Sequence, residues 1–319
     1  MAHMSSAPSE VTFTEETEAA EIEIGSFARK QPSNPGQQRV VIASFNIRYA
    51  VGSFLITGSI LRRVGLTSQR RRAGLVSRNL ARAARALSDG SLMPRVDILA
   101  LQEADKETLR AGGHHVAREL AQSLEMSYAH ASTNLPRNEE QKAKQWYLDF
   151  EEHIAQEDAG DTGVALLSSV AFHEVARLDL PWHECAWRPR LALYAHFKFG
   201  ARDLHLFNAH IDPHATIDEQ LEQHEAILER AENLDGVVAI AGDFNTLSRK
   251  SCQKVRRFME SRGFITPFPD RIPTWRAGLI RLHPDWIFLR GASATRWGVS
   301  RFPGVSDHWP IWVEIVFDE

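Results

Sequence analysis

The chain reads as an α/β protein in which two mixed β-sheets pack face to face with helices outside. Three observations predict this. Short apolar runs alternate with amphipathic helical stretches. Many of the runs are apolar on both faces, so each needs cover on two sides. Two stretches, around Val164 to Leu180 and Arg190 to Ile211, pair like hairpins and leave no room for crossover helices, which favours mixed over purely parallel sheets. Strands are predicted at Val40–Phe45, Val96–Leu101, Gly163–Leu167, Leu191–Phe199, Asp203–His210, Val237–Gly242, Asp285–Leu289 and Ile311–Phe317. Helices are predicted at Arg71–Ser88, Val116–Leu124, Asp218–Leu234 and Lys250–Arg262. The third follows Thr216 and carries Asp218 and Glu219 in its first turn. In the first, the basic run Arg70 to Arg72 continues through Arg78, Arg82 and Arg85. This is a solvated face opposite a stripe of Leu75, Leu80 and Leu87.

The chain has 319 residues with a formal net charge of -4, and the acidic surplus lies at the front. There, six glutamates between Glu10 and Glu23 face only Arg29 and Lys30. Residues 1–38, rich in Ser, Thr, Glu and Pro, are expected to form a flexible acidic tail, with one catalytic domain over 39–319. The body is electrically balanced and shows no global basic footprint for nucleic acid. Two cysteines, Cys185 and Cys252, cannot build a disulfide framework, so a cytoplasmic protein is expected. The longest uncharged apolar run, Ala50 to Leu61, is too short to span a bilayer.

Strand-like segments end in abrupt polar clusters: Phe45-Asn46-Ile47-Arg48, Leu101-Gln102-Glu103, Asn208 to Asp212, Gly242-Asp243-Phe244-Asn245 and Ser306-Asp307-His308-Trp309-Pro310. Any one of them is an ordinary solvated strand end or turn; a series is where sites gather. Residues two apart on an extended strand share a face, which pairs Asn208 with His210, and Asp243 with Asn245 if the strand continues through them. Asn46, Glu103 and Asp307 offer oxygen ligands to a hard cation, few enough that water and a phosphate would complete the octahedron magnesium prefers. Zinc is disfavoured, because His205 and His210 point to opposite faces of one strand.

Taken in order, FNIR, LQE, GVALLS, NAHID, GDFN, Thr274-Trp275, HPDWIFL and SDHWP resemble the endonuclease/exonuclease/phosphatase, or DNase I-like, superfamily over about residues 39 to 317. The resemblance implies a four-layer sandwich with the site at the sheets' rim. It also implies a divalent-cation-dependent hydrolase, with Mg²⁺ the expected cofactor and Mn²⁺ the alternative, attacking a phosphoester in line with water and without a covalent intermediate. By the same resemblance Glu103 is the principal metal carboxylate, Asn46 contacts metal or phosphate, and Asp307 lies near the metal. Asp243 would orient or deprotonate the attacking water and Asn245 would hold water or phosphate. His308 would contact the scissile phosphate, Asp285 would orient His308, and His210 would donate to a phosphate oxygen.

Two departures narrow the branch: Arg48 stands where abasic-site nucleases carry an acid, and NAHID replaces their Tyr-x-Pro-Asn element. A phosphodiester substrate is expected, in a nuclease or a nucleotide-containing phosphodiesterase. Phospholipid (sphingomyelinase-like) or sugar-phosphate hydrolysis is the alternative. A monomer without membrane contact is expected, although by the resemblance the apolar 51–66 segment sits where the family's first loop borders the site, and a mixed basic and aromatic segment, 136–161, lies just before GVALLS. A silent binding module would have lost an acid or histidine from the set, and none is lost.

Overall fold

The computed structural model describes residues 22–28, 39–52, 69–136, 154–182, 188–302 and 304–317. Most of the 51–66 and 136–161 segments therefore lies outside the described residues. Strands β1 (Ile22–Ser26), β2 (Arg39–Asn46), β3 (Ile98–Gln102), β4 (Ser127–Ser132), β5 (Gly163–Ser168), β13 (Ala294–Val299) and β14 (Ile311–Val316) build a seven-stranded sheet in the order β1-β4-β5-β3-β2-β14-β13. Strands β6 (Glu174–Asp179), β7 (Leu191–Phe199), β8 (Arg202–His210), β9 (Val237–Asp243) and β12 (Asp285–Arg290) build a five-stranded sheet in the order β12-β9-β8-β7-β6. A small hairpin, β10 (Trp275–Ala277) with β11 (Ile280–Leu282), stands apart.

Strand alternation sorts the apolar residues into three cores. Ile42, Ile98, Leu166, Leu193, Leu206, Ala241, Ile287 and Val313 fill the space between the sheets. The other face of the larger sheet, with Phe45, Leu99 and Leu101, is covered by α1 (Gln69–Ser88) and α2 (Val116–Leu124) through Val76, Leu80 and Leu120. On the smaller sheet, Phe207, Ile240 and Phe288 meet Ile227, Val255 and Met259 of α3 (Ile217–Ala231) and α4 (Arg249–Ser261). The result is the four-layer sandwich. The helices lie within two or three residues of their predicted bounds; Thr216 and Glu219 form a reciprocal capping box at α3, a device worth about 1 kcal/mol. Arg70, Arg71, Arg78, Arg82 and Arg85 on α1 are solvent-exposed. Among the described residues no helix is long and apolar enough to cross a membrane.

Two expectations are corrected. Val164 to Leu180 is not a hairpin: β5 pairs with β3 and β4, whereas β6 pairs with β7 in the other sheet. The chain changes sheets between Ser168 and Glu174, and closeness in sequence does not distinguish that crossing from a turn. Nor is all of residues 1–38 a tail, because Ile22–Ser26 pairs antiparallel with β4. There Ile22 and Ile24 alternate with Glu23, whose carboxylate bonds Tyr128 Oη at 2.7 Å and pairs with Lys106 Nζ at 2.7 Å. Burial acts against that carboxylate, but the Lys106, Tyr128 and His115 contacts outweigh it and lower its pKa to about 2.

Candidate active site

Each sheet contains one parallel pair, β2–β3 and β8–β9, flanked by an antiparallel strand, β14 and β12 respectively. The carboxyl ends of the parallel strands and the amino ends of their antiparallel neighbours meet at one rim. Registry sets the residues there: Asn46 stands opposite Gln102, His210 opposite Asp243, and Asp243 opposite Asp285. Alternation then aims them. Phe45, Phe207, Ile240 and Trp286 face the helices, so Asn46, His210, Asp243 and Asp285 face the space between the sheets. Glu103 would turn outward by the same rule, but its left-handed backbone, φ 50°, brings it back to Asn46.

Asp243 Oδ2 is the hub. Asn46 Nδ2 donates to it at 2.8 Å and to Glu103 Oε1 at 3.2 Å, while His308 Nε2 lies 3.7 Å and His210 Nε2 3.8 Å from that same oxygen. Asp243 Oδ1 accepts from the backbone N–H of Asn245 at 2.9 Å. His308 Nδ1 sits 3.0 Å from both oxygens of Asp285. Burial alone would push His308 down, but Asp285 and Asp243 overcome it and raise it to about 10. Burial raises Asp285 to about 6, and His308 offsets only part of that. His210 goes the other way: burial, then the Arg190 and Arg188 charges, hold it well below its ordinary range. The site thus presents one imidazolium and one neutral imidazole to the same carboxylate. Beneath it, Gln102 Nε2 donates to Asn208 Oδ1 at 2.6 Å, and Asn208 Nδ2 reaches the carbonyls of Leu101 and Ala165 at 2.8 Å. That network ties the two sheets together under the rim.

The structure therefore gathers Asn46, Glu103, His210, Asp243, Asp285 and His308. Asn245 and Asp307 are placed differently from expectation. Strand β9 ends at Asp243 and Asn245 is left-handed, φ 50°, so the two do not share a face. Asn245 Nδ2 is committed to the carbonyl of Ile211 at 2.8 Å, and only its backbone N–H reaches Asp243. Asp307 pairs with Arg48 Nη1 at 3.2 Å, both side chains being buried, so its charge is matched by a guanidinium rather than left for a cation. Ser306 Oγ, overlooked in the sequence, donates to the Asn46 carbonyl at 2.8 Å and docks the terminal motif onto β2. Arg190, immediately before β7, lies against His210. Its signal was Arg188-Pro189-Arg190, two cations on one face of a necessarily extended segment.

A divalent cation fits at Glu103 and Asn46. Glu103 offers carboxylate oxygens and Asn46 an amide oxygen at the ends of adjacent strands, with the Asp243 carboxylate bonded to the same amide, the donor type a hard ion requires; the Asn46 oxygen accepts from the backbone N–H of Arg48 at 3.0 Å. Asp243, Asp285 and His308 also bring ligand-type atoms within 4.8 Å of one another. His308 Nδ1 is spent on Asp285, which leaves its Nε2 facing Asp243 at 3.7 Å. The histidines at 205 and 224 form no zinc cluster with His210: His205 bonds Tyr194 Oη, and His224 packs on Phe244.

A family model described as the Endonuclease/Exonuclease/phosphatase family matches residues 43–308. None of the curated proteins matches the sequence. Solved structures share the fold at low identity. An endonuclease/exonuclease/phosphatase family protein from Leptotrichia buccalis is 16% identical with a TM-score of 0.57, over 87% of this chain and 100% of that one. A humanized TDP2 from D. rerio is 16% identical with a TM-score of 0.56, over 88% and 100%. A mannosyl-6-phosphatase from Bacteroides thetaiotaomicron is 16% identical with a TM-score of 0.53, over 87% and 100%. A family match spanning both sheets, from Ala43 on β2 to His308 before β14, makes this chain a member of the endonuclease/exonuclease/phosphatase family of phosphoester hydrolases.

Proposed function

We propose that the protein is a Mg²⁺-dependent phosphodiesterase that attacks its substrate with water, acting on a nucleic acid or another nucleotide-containing diester. The observation that carries this reading is the Asp243 carboxylate with Asn46, His210 and His308 converging on one oxygen. Asn46 and the Asn245 backbone N–H fix that carboxylate, which takes the proton of the attacking water as its oxygen bonds to phosphorus. The bond to the leaving oxygen breaks on the opposite side. His308, kept protonated by Asp285, and neutral His210 donate to the phosphoryl oxygens where negative charge develops. Glu103 and Asn46 would hold the Mg²⁺, which when bound neutralises charge on the phosphoryl and leaving oxygens.

Hydrolysis of the sugar-phosphate or phospholipid class is a second reading, favoured by the balanced charge of the body, which offers no extended basic track for a polynucleotide. Single-stranded DNA, RNA, abasic duplex, sphingomyelin and a hexose 6-phosphate, assayed side by side with Mg²⁺ and Mn²⁺, decide between the two. Turnover confined to the last two substrates would replace the leading proposal.

A further inference from the structure

Arg190 is a buried cation that the proposed hydrolysis does not yet use. It is 2% exposed and precedes β7 in Arg188-Pro189-Arg190. Its Nη1 lies 3.2 Å from His210 Nδ1 and 3.3 Å from His210 Nε2, and its Nε has no acceptor. Among the described residues the hydrogen-bond partner of its guanidinium is the His210 ring, which burial and the neighbouring arginines hold uncharged. Arg110 offers the contrast: equally buried, it spends Nε and Nη2 on both oxygens of Asp105, at 2.7 and 2.9 Å. A guanidinium out of water is costly unless an anion offsets it, and it carries five donors suited to phosphate oxygens. Arg188, also buried, adds a second positive charge bearing on His210.

The cations therefore lie on the His210 side of the site, while Glu103, Asp243 and Asp285 line the other. A phosphodiester bound at Asp243 brings one negative charge, which the His308 imidazolium faces and which a cation held by Glu103 would also answer. Resting on that reading of the site, we propose that Arg190 is a substrate-binding residue that selects phosphoesters carrying an additional phosphate negative charge beside the reacting bond. That charge is supplied either by a neighbouring phosphate or by the second ionisation of a terminal phosphate.

The test compares the full-length wild type, Arg190→Gln and Arg190→Lys on three substrates with Mg²⁺: the dinucleotide TpT, its 5′-phosphorylated form pTpT, and p-nitrophenyl phosphate. The wild type is expected to prefer pTpT or p-nitrophenyl phosphate over TpT. Arg190→Gln should lose about 30-fold in kcat/KM on the preferred substrate, the scale of one charge-assisted hydrogen bond, and only a few-fold on TpT. Arg190→Lys should recover part of the loss. A loss confined to pTpT assigns the charge to a neighbouring phosphate, and one confined to p-nitrophenyl phosphate assigns it to the reacting phosphate. Equal loss on all three, or none, overturns the proposal.

Thermal melting of the metal-free chain with inorganic phosphate gives a readout without turnover. Phosphate should raise the wild-type melting temperature and leave that of Arg190→Gln unmoved, and Arg190→Gln without phosphate should melt no lower than wild type. A variant that melts lower yet still responds to phosphate would make Arg190 a structural residue and refute its role in binding. If no substrate is turned over while this melting pattern holds, the hydrolytic reading fails and the anion site stands.

Discussion

His308 Nδ1 is equidistant, at 3.0 Å, from the two carboxylate oxygens of Asp285, so the imidazole ring is fixed by a fork and presents Nε2 to the site. Burial opposes charge on His308, yet Asp285 and Asp243 raise it to about 10, while burial raises Asp285 to about 6. Turnover should therefore hold level between about pH 6 and about pH 10. In Asp285→Asn the alkaline limb should move down by about 1–3 pH units. The linkage sign agrees: an unfolded imidazole titrates near ~6.5, so the raised His308 value contributes stability that is present near that pH, fades as pH rises toward about 10, and weakens below about pH 6 as Asp285 takes up its proton. A pH–rate profile whose alkaline limb does not move in Asp285→Asn would remove the fork from the mechanism.

Asp243→Asn keeps the shape of the hub and removes its capacity to take a proton. kcat should fall about 10²- to 10⁴-fold, the usual range for a general base, with the melting temperature close to wild type. Single-turnover kinetics on the active substrate measure this. A variant with full turnover would show that another group activates the water.

Glu103 and Asp307 should part company. Glu103→Gln is expected to weaken Mg²⁺ binding by more than about tenfold, since even groups that only support a ligand act on that scale. Asp307→Asn, which removes the carboxylate charge paired with the buried Arg48 guanidinium, should instead cost about 3–5 kcal/mol of stability. Calorimetric Mg²⁺ titration and chemical denaturation of both variants separate the two effects. Equal loss of metal affinity would restore Asp307 as a ligand.

Gly242 sets the spacing of the two strands that carry His210 and Asp243. A Cβ built on it would fall 1.9 Å from the carbonyl oxygen of Ala209, and its φ is +151°. Gly242→Ala should cost about 1–3 kcal/mol through overpacking. It should also lower kcat more than it raises KM, because the misplaced groups are those that act on the transition state. Denaturant melts together with steady-state kinetics test this; unchanged kinetics in a destabilised variant would confine Gly242 to packing.

Strands such as β2, β3, β8 and β9 were legible because burial on both faces leaves an unbroken apolar signature. Ser127–Ser132 was not: SYAHAS is small and polar, and it is a strand because β1 and β5 pair with it on either side. Edge strands Glu174–Asp179 and Ala294–Val299 are half-exposed, so the sequence places the first only as an arm of a supposed hairpin and predicts no strand at the second. The same distinction runs through the site. Residue identity at strand ends told which side chains gather there. Backbone handedness at Glu103 and Asn245, and the competition between Arg48 and a cation for Asp307, depend on contacts between segments far apart in sequence. No local pattern carries that information.

The placement of β14 between β2 and β13 makes biosynthesis vectorial in an unusual degree. A nascent chain can complete the five-stranded sheet while one edge of β2 still lies bare, and His308 reaches the ribosome's exit only with the segment that seals it. Until then the bare edge is an open template for foreign strands. Closure of that gap covers the edge and brings His308 beside Asp285 and Asp243 in one event, so a product truncated before β14 should aggregate.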